Sequence, residues 1–363
     1  MLFSIITVSY NHGKFIEKTI KSVISQKGDF FIEYLIIDGG SKDNTIEILK
    51  KYEKLLQNNE IPINCKGIEF FWLSEPDNGP TEAINKGLKK AKGDIVGILN
   101  SDDFYLDETV LEKVKNVFEK NLEVGVVYGD AYFIDKNDNI IGEKKGFKKI
   151  DWKTLKVGSH VAQPAPFYKK SLFSKIGYMN EELKYTDDYE FWIRCVKNGI
   201  KFFYIPEFLV NFRVLSTARS YGAKPFIFIE NLYLQIKNFG IGYILENDKM
   251  VNSILGYSQI PGINIDESFL TIKNGLFKIL EEKIPSKYLR KIKTRLYIKK
   301  AIYEVFKNRK EALIKYYIKN IWTYPFCFFT KDSLVFIIRF FLMREKFYFG
   351  LKDSIKRFLG LIK

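Results

Sequence analysis

Apolar and polar residues alternate in a regular way along the first 120 residues. Short runs rich in Ile, Val, Leu and Phe predict buried strands at residues 3–9, 34–38, 70–73 and 93–99. A polar loop follows each run, and apolar residues at helical spacing then predict helices at 15–26, 44–56, 81–92 and 106–120. Strands that alternate with helices of this length predict an α/β fold with a mostly parallel, doubly wound sheet.

The polar loops that follow the four predicted strands are candidates for a binding site. In a parallel sheet they meet at one edge, where open α/β folds bind their ligands. The loops are Tyr10–Gly13, Gly39–Ser41, Ser74–Gly79 and Asn100–Asp103. The first loop lacks the G-x-G-x-x-G pattern, so we expect a nucleotide site without a dinucleotide fingerprint.

The fourth loop carries two adjacent acids, Asp102 and Asp103. Two neighbouring carboxylates repel each other unless a cation lies between them, and hard divalent ions prefer such oxygen ligands. The alternative is a solvated turn whose aspartates cap the next helix. The pair alone does not decide between these interpretations.

Seven segments, in this order, resemble the inverting glycosyltransferases of family 2. They are Thr7–Asn11, Ile37–Thr45, Ser74–Gly79, Ala83–Gly87, Asn100–Asp103, Gln163–Pro164 and Asp188–Trp192. The resemblance runs from Ser4 to about Arg213. It implies the GT-A fold, a Rossmann-like, mostly parallel sheet flanked by helices, for a catalytic domain at residues 1–215.

The resemblance also implies a nucleoside-diphosphate sugar as donor, and Mn²⁺ or Mg²⁺ to neutralise the leaving diphosphate. The D-x-D motif of the family falls on Asn100-Ser101-Asp102, which makes Asp102 the expected metal ligand with Asp103 beside it. Asp38 matches the position that accepts a hydrogen bond from uracil or another pyrimidine, with an Asx turn before Ser41 as the alternative. The other residues expected on the donor side are Thr7, Ser9, Tyr10, Asp77, Asn85, Asn100 and Ser101.

The acceptor side is expected to come from the second half of the matched region. Asp188 matches the base that removes the proton of the acceptor hydroxyl, at the positive end of a helix beginning near Asp187. Asp187 is the alternative base, and an acidic helix cap is the structural alternative for the pair. The residues expected to contact acceptor or phosphate are Gln163, His160, Asp187 and Arg213.

Two features of the histidines bear on this site. For His12 and His160, a structural role is the alternative to substrate contact. Relatives read Phe-Arg-x-His where this chain has Phe212-Arg213-Val214-Leu215. A guanidinium contact to phosphate from Arg213, or from Arg219 further along the chain, would partly replace the missing imidazole.

The formal net charge of +15 lies entirely in residues 216–363. These carry 27 Lys and Arg against 12 Asp and Glu, whereas residues 1–215 carry 31 of each. Helices are predicted at 225–239, 268–283, 286–308, 311–322, 333–347 and 351–363, with dense aromatic residues after 318. Basic amphipathic helices of this kind favour the surface of an anionic membrane. A homodimer interface is the alternative.

Other sequence features bound the function. Three widely spaced cysteines fit neither a disulfide framework nor a zinc site. With no charged segment before the first strand, we expect a cytoplasmic enzyme, peripheral on the inner face of the cell membrane. The predicted reaction moves a hexose or N-acetylhexosamine from a nucleoside-diphosphate donor, expected to be a UDP-sugar, to a lipid-linked or oligosaccharide acceptor of a bacterial surface glycan.

Two other functions are alternatives to this one. The charge of the C-terminal helices would allow a nucleic-acid-binding protein, but no recognition motif accompanies it, so we expect no nucleic-acid partner. A sugar nucleotidyltransferase usually has a Gly-rich, basic phosphate loop after its first strand, and Tyr10–Gly13 is not such a loop.

Overall fold

The computed structural model describes residues 1–156, 158–159, 161–183, 185–215 and 224–239. The strands in these ranges are β1 (Leu2–Ser9), β2 (Phe31–Asp38), β3 (Gly67–Ser74), β4 (Ile95–Asn100), β5 (Phe104–Tyr105), β6 (Val124–Ile134), β7 (Ile140–Lys144), β8 (Phe167–Lys169) and β9 (Lys201–Arg213). The helices are α1 (Ile16–Ile24), α2 (Thr45–Gln57), α3 (Pro80–Lys90), α4 (Val110–Lys120), α5 (Trp152–Lys156), α6 (Ser171–Ile176), α7 (Asp187–Lys197) and α8 (Lys224–Phe239). His160 and the helices predicted after residue 239 lie outside the described residues.

The strands form one mixed sheet in the order β3-β2-β1-β4-β8-β6-β9-β5, and β7 pairs with β6. The first four strands are parallel, β8 runs antiparallel to both of its neighbours, and β6 is parallel to β9. The register aligns Asp38 with both Ser9 and Ser74, while Asn100 pairs with Val8. The carboxyl ends of the four parallel strands therefore lie together at one edge, as the loop pattern predicts.

Both faces of the sheet are covered, because successive strand residues point to opposite sides. In β1, Ile5 belongs to a core with residues of α1, α2 and α4, whereas Ile6 belongs to a core with residues of α3, α5, α6, α7 and α8. Near-continuous apolar strands are what such double coverage requires. The predicted α/β class with a mostly parallel sheet is confirmed.

The element boundary that differs most from its prediction is the start of α4. The helix expected from residue 106 begins at Val110. Phe104 and Tyr105 instead pair with β9, and the Asp107 carboxylate accepts a hydrogen bond from the Thr109 amide at 2.7 Å. This Asx-type turn uses residues that local periodicity assigns to the helix.

The helix predicted at 225–239 is present as α8, and its Leu234 is buried in the second core. The compact unit that contains the sheet runs from Met1 to Gly240 and so includes α8. Within the described part of the chain, no helix combines the length and apolar character needed to span a bilayer.

Candidate active site

A cavity of about 1150 Å³ opens at the carboxyl edge of the parallel strands and extends to the start of α7. Nine of the residues expected from the sequence line it: Ser9, Tyr10, Asp77, Asn100, Asp102, Gln163, Asp187, Asp188 and Arg213. Thr7, Asp38, Asn85, Ser101 and Asp103 do not line it. They lie in the elements that build its walls.

The end of β1 presents two different side chains to the cavity. Tyr10 is 60% exposed at the mouth. Ser9 is buried, and its hydroxyl has no hydrogen-bond partner among the described residues. Leaving a buried hydroxyl unpaired costs about 1–3 kcal/mol, so the Ser9 hydroxyl is suited to bonding with a ligand. Thr7 points away from the cavity and bonds with the Tyr34 hydroxyl at 3.1 Å.

Asp38, at the end of β2, holds two loops together. Its carboxylate accepts from the amides of Gly40 (3.0 Å) and Ser41 (2.8 Å) and from the hydroxyls of Ser41 (2.5 Å) and Ser74 (2.7 Å). The side chain is fully buried. The Asx turn, which is the alternative role of Asp38, is therefore present. Contact between Asp38 and a pyrimidine stays a prediction.

Asp77 faces the cavity from the loop after β3. Its carboxylate accepts from the Gly79 amide at 2.9 Å and lies directly over Gly39, whose missing Cβ would come within 2.9 Å of Oδ2. Burial raises the pKa of Asp77 above its ordinary value. The close approach of these two loops places a carboxylate next to the strand ends.

Asp102 and Asp103 have different surroundings despite being adjacent. Asp103 is fully buried, and it accepts from the amide of Arg213 (2.8 Å) and the side chain of Asn100 (3.0 Å). Asp102 lines the cavity. Burial raises the pKa of both, and the charge of Asp102 adds to the effect at Asp103. Asp103 thus shapes the loop, and Asp102 is the member of the pair available to a ligand.

Ser101 and His12 connect the acidic loop to the loop after β1. Ser101 is buried, and its hydroxyl bonds with Nδ1 of His12 at 2.7 Å. Thr19 of α1 donates to the backbone carbonyls of Ser101 (2.9 Å) and Asp103 (2.7 Å). These bonds fix the backbone around Asp102 and orient the His12 ring, which lines the cavity.

Arg213 joins the acidic loop to the β6–β7 turn. Its guanidinium donates to the carbonyls of Asp102 (3.0 Å) and Asp135 (2.7 Å) and to the carboxylate of Asp138 (2.5 Å), and it lies over the Phe15 ring. The side chain is buried although it reaches the cavity wall. These bonds show a role in holding the loops, and contact with phosphate stays a prediction.

Asn85 of α3 is turned away from the cavity. Its amide exchanges hydrogen bonds with the backbone of Met179, at 2.9 and 3.0 Å, and donates to Glu181 at 2.7 Å. Asn85 therefore fastens the segment before α7 to α3. Its contact with the donor stays a prediction.

The start of α7 brings two carboxylates to the cavity, Asp187 and Asp188. The helix is held to the sheet by a buried apolar face that includes Phe191 and Trp192. Two effects raise the pKa of Asp188 to about 7: burial is the larger, and repulsion from the Asp187 charge is the smaller. The hydrogen bond from the Tyr189 amide and the charge of Lys144 act in the opposite direction and lower the pKa. A carboxyl group with this pKa is suited to accept and release protons near neutral pH.

Lys144, at the end of β7, is a cavity residue that sequence reasoning missed. Its ammonium donates to the carbonyl of Val161 at 2.8 Å. Burial lowers the pKa of Lys144, and the charge of Asp188 opposes that effect. No local motif marks this lysine, because only the pairing of β7 with β6 brings it near α7. Gln163 lies nearby and accepts from Asn100 at 3.2 Å, which links the two halves of the wall.

Comparison with known proteins gives consistent matches. The family model for Glycosyl transferase family 2 matches residues 4–177. An uncharacterized glycosyltransferase of Methanocaldococcus jannaschii is 30% identical over 218 residues, which are 59% of this chain and 71% of that protein. An uncharacterized glycosyltransferase of Haemophilus influenzae is 32% identical over 196 residues, which are 54% of this chain and 72% of that protein.

Among solved structures, residues 1–349 of S. aureus TarS in complex with UDP-GlcNAc match with a TM-score of 0.54. The identity is 18%, and the match covers 90% of this chain and 92% of that chain. This likeness shows the fold, a GT-A-like sheet. The relatives of 30% and 32% identity, each matched over more than 70% of its length, together with the family match, show that the chain belongs to glycosyl transferase family 2 and is a glycosyltransferase.

Proposed function

We propose that this glycosyltransferase inverts the anomeric centre, moving a hexose or N-acetylhexosamine from a UDP-sugar to an acceptor hydroxyl, with Asp188 as the base. The observation that supports this best is the placement of Asp188, whose pKa is about 7, in the same cavity as the loops that follow the parallel strands. A donor held by those loops and an acceptor beside α7 would meet inside one cavity.

The step requires one base and one leaving group. Asp188 takes the proton of the acceptor hydroxyl as that oxygen bonds to the anomeric carbon. The bond from this carbon to the diphosphate breaks, and its electron pair leaves with the nucleoside diphosphate. Because the hydroxyl attacks from the opposite face, one displacement inverts the configuration.

The donor side is supported by groups that need a partner or bear charge. Three groups surround the strand ends: the Ser9 hydroxyl, which has no partner in the described part of the chain, the exposed Tyr10 ring and the Asp77 carboxylate. TarS, whose fold is similar, was crystallised with UDP-GlcNAc. These observations support a UDP-sugar as the donor. We propose that Asp38 lies at the end of the donor site that binds the uracil ring.

A divalent ion, Mn²⁺ or Mg²⁺, fits the residues on the donor side. The described residues contain no group of three His, Cys, Asp or Glu that would hold a metal alone. Mg²⁺ is commonly bound by one or two carboxylates together with substrate phosphates, and Asp102 supplies one carboxylate on the cavity wall. We propose Asp102 as the ligand. When bound, the ion would neutralise charge on the leaving diphosphate.

The acceptor is proposed to be lipid-linked or an oligosaccharide in the synthesis of a bacterial surface glycan, reached from the inner face of the cell membrane. The excess of 15 positive charges in residues 216–363 supports contact with an anionic bilayer. Those residues, apart from α8, lie outside the described part of the chain. A homodimer formed through them is the competing proposal.

Paired substitutions test the base. Asp188→Asn keeps the shape of the side chain but takes no proton, so we expect transfer to fall by about 10²–10⁴ while UDP binding is retained. Asp187→Asn is the matched control and should lose far less. NMR of the product from a donor of known anomeric configuration tests inversion. Loss confined to Asp187→Asn would assign the base to that residue instead, and a retained configuration would contradict the single displacement.

The pH dependence gives a second readout of the same group. The base must be ionised, so kcat/KM should rise through a pH near 7 and level off above it. Burial disfavours that ionised form and holds the pKa of Asp188 above its ordinary value of 3.8, so the folded state loses stability as the pH rises from about 4 to about 7. Asp188→Asn should therefore melt above the wild type at pH 8 and show a smaller gain at pH 5. A pH profile that is flat between 5 and 8 would argue against Asp188.

A further inference from the structure

Glu230 of α8 is bonded to the segment that leads into α7. Its Oε2 atom accepts from the backbone amide of Tyr185 at 2.9 Å and from the hydroxyl of Thr186 at 3.0 Å. Glu230 follows the matched family segment 4–177 by more than 50 residues. It also lies beyond residue 215, where sequence patterns place the end of the catalytic domain.

The two residues held by Glu230 come immediately before the carboxylates of α7. Thr186 is the N-cap residue of the helix, and it is buried. Its side chain makes no capping bond to the helix but is turned toward Glu230. Tyr185 lines the cavity together with Asp187 and Asp188. The Glu230 carboxylate thus fixes the backbone from which both acids project.

The rest of α8 is anchored independently of Glu230. Leu234 is buried in the core that contains Trp192 of α7. Near the far end of α7, Asn238 accepts from the ammonium of Lys197 at 2.6 Å. The Phe239 ring lies 4.4 Å from that of Trp152 in α5. Because these contacts hold α8 in place, Glu230 is presented to α7 by a fixed element.

We propose that Glu230 is a positioning residue for transfer, which holds the start of α7 so that Asp188 points correctly into the cavity. The proposal rests on the proposed role of Asp188 as the base. On this proposal, α8 contributes to catalysis through Glu230 although it lies beyond residue 215. A displacement of about 1 Å in a catalytic group can cost as much as 100-fold in rate, which is why two bonds to the preceding backbone matter.

Two substitutions of Glu230 separate positioning from simple support of the fold. Glu230→Ala removes the acceptor for both bonds, and Glu230→Gln keeps one oxygen able to accept both. Asn238→Ala is the matched control, because it cuts the α7–α8 contact at the opposite end of the same helix pair. All three are made in the full chain, and melting temperatures are recorded.

We expect Glu230→Ala to lower kcat by roughly 10- to 100-fold with KM for the UDP-sugar changed less than about threefold. Glu230→Gln and Asn238→Ala should stay close to wild-type rates. Amide hydrogen exchange of residues 185–189 should accelerate in Glu230→Ala and not in the other two variants. The expected split between kcat and KM follows because the donor loops precede α7 in the chain, whereas Glu230 bonds with Tyr185 and Thr186 at the start of that helix.

Equal kinetics in the three variants, or equal exchange at residues 185–189, would overturn the proposal. So would a fall in kcat for Asn238→Ala as large as that for Glu230→Ala, since the effect would then be one of helix packing. If the wild type transfers no sugar from any UDP-sugar and binds no UDP, the proposed function fails. The exchange measurement still decides whether Glu230 holds the start of α7.

Discussion

At the scale of single residues, the carboxylates that line the cavity are Asp77 and three members of two pairs of adjacent aspartates. In the first pair, Asp103 turns inward to bonds with Arg213 and Asn100, and Asp102 turns to the cavity. In the second, Asp187 and Asp188 both line the cavity. A sequence shows that a pair exists but not which member is exposed, because the partners that decide this lie up to 110 residues away.

Asp102→Asn should weaken metal-dependent nucleotide binding, because it removes a negatively charged oxygen ligand while keeping the size of the side chain. We expect titration calorimetry to show that Mn²⁺ strengthens UDP binding to the wild type and adds little in this variant. Asp187→Asn is the control, since it removes one charge from the same cavity on the side of α7. It should keep the effect of Mn²⁺.

Two results would contradict this assignment. One is an equal effect of Mn²⁺ in the wild type and in Asp102→Asn. The other is tight UDP binding and full transfer by the wild type in the presence of EDTA, which would remove the metal from the mechanism. Because binding is measured apart from turnover, a defect in Asp188 chemistry does not affect the interpretation.

At the scale of elements, local patterns predict the first half of the molecule well. The first four strands and their helices follow from apolar runs and helical spacing, and α8 differs from its predicted range by one residue. The site elements that were not predicted depend on distant pairing. Lys144 reaches the cavity through the β6–β7 hairpin, and Glu230 reaches α7 across 44 residues. Periodicity carries no information about either contact.

Polar residues such as Asp38 and Asn85 show a related limit. The matched motifs mark both positions, and in the structure both are engaged in hydrogen bonds that hold neighbouring segments together. A motif identifies residues that a site needs, but it does not separate ligand contacts from the bonds that hold the loops.

Gly39→Ala should disturb the donor side, because the close packing of the loops after β2 and β3 leaves no room for a side chain. The added Cβ would lie 2.9 Å from the Asp77 carboxylate, which must then move. We expect KM for the UDP-sugar to rise by roughly an order of magnitude, with a smaller change in kcat, if Asp77 lines the donor site. Steady-state kinetics over donor concentration measure this.

Gly142→Ala is the matched control for that change. In β7, the new Cβ would meet its nearest neighbour, Phe133, at an ordinary 3.5 Å. Its donor KM should equal that of the wild type. If Gly39→Ala also leaves KM unchanged while melting normally, the Asp77 loop is not part of the donor site.

At the scale of the whole molecule, charge and chemistry are separated along the chain. Among the described residues, those that line the cavity all precede residue 216, in a segment whose formal charges cancel. The net charge of +15 is carried by residues 216–363. A basic region of this kind would attract the anionic surface on which a membrane-bound acceptor lies.

The full chain should bind vesicles containing phosphatidylglycerol, bind pure phosphatidylcholine vesicles weakly, and lose binding as salt rises, because the attraction is electrostatic and screened. Each basic residue near the surface adds on the order of 1 kcal/mol, so the combined variant Lys287→Gln, Lys291→Gln and Lys293→Gln should bind roughly 100-fold more weakly.

The control variant neutralises three exposed lysines within residues 1–215, Lys50, Lys54 and Lys120, and should bind the vesicles as the wild type does. UDP affinity should be equal in all three proteins. If the full chain ignores anionic vesicles and sediments as a stable dimer that the 287–293 substitutions dissociate, the basic region serves assembly and the membrane proposal is wrong.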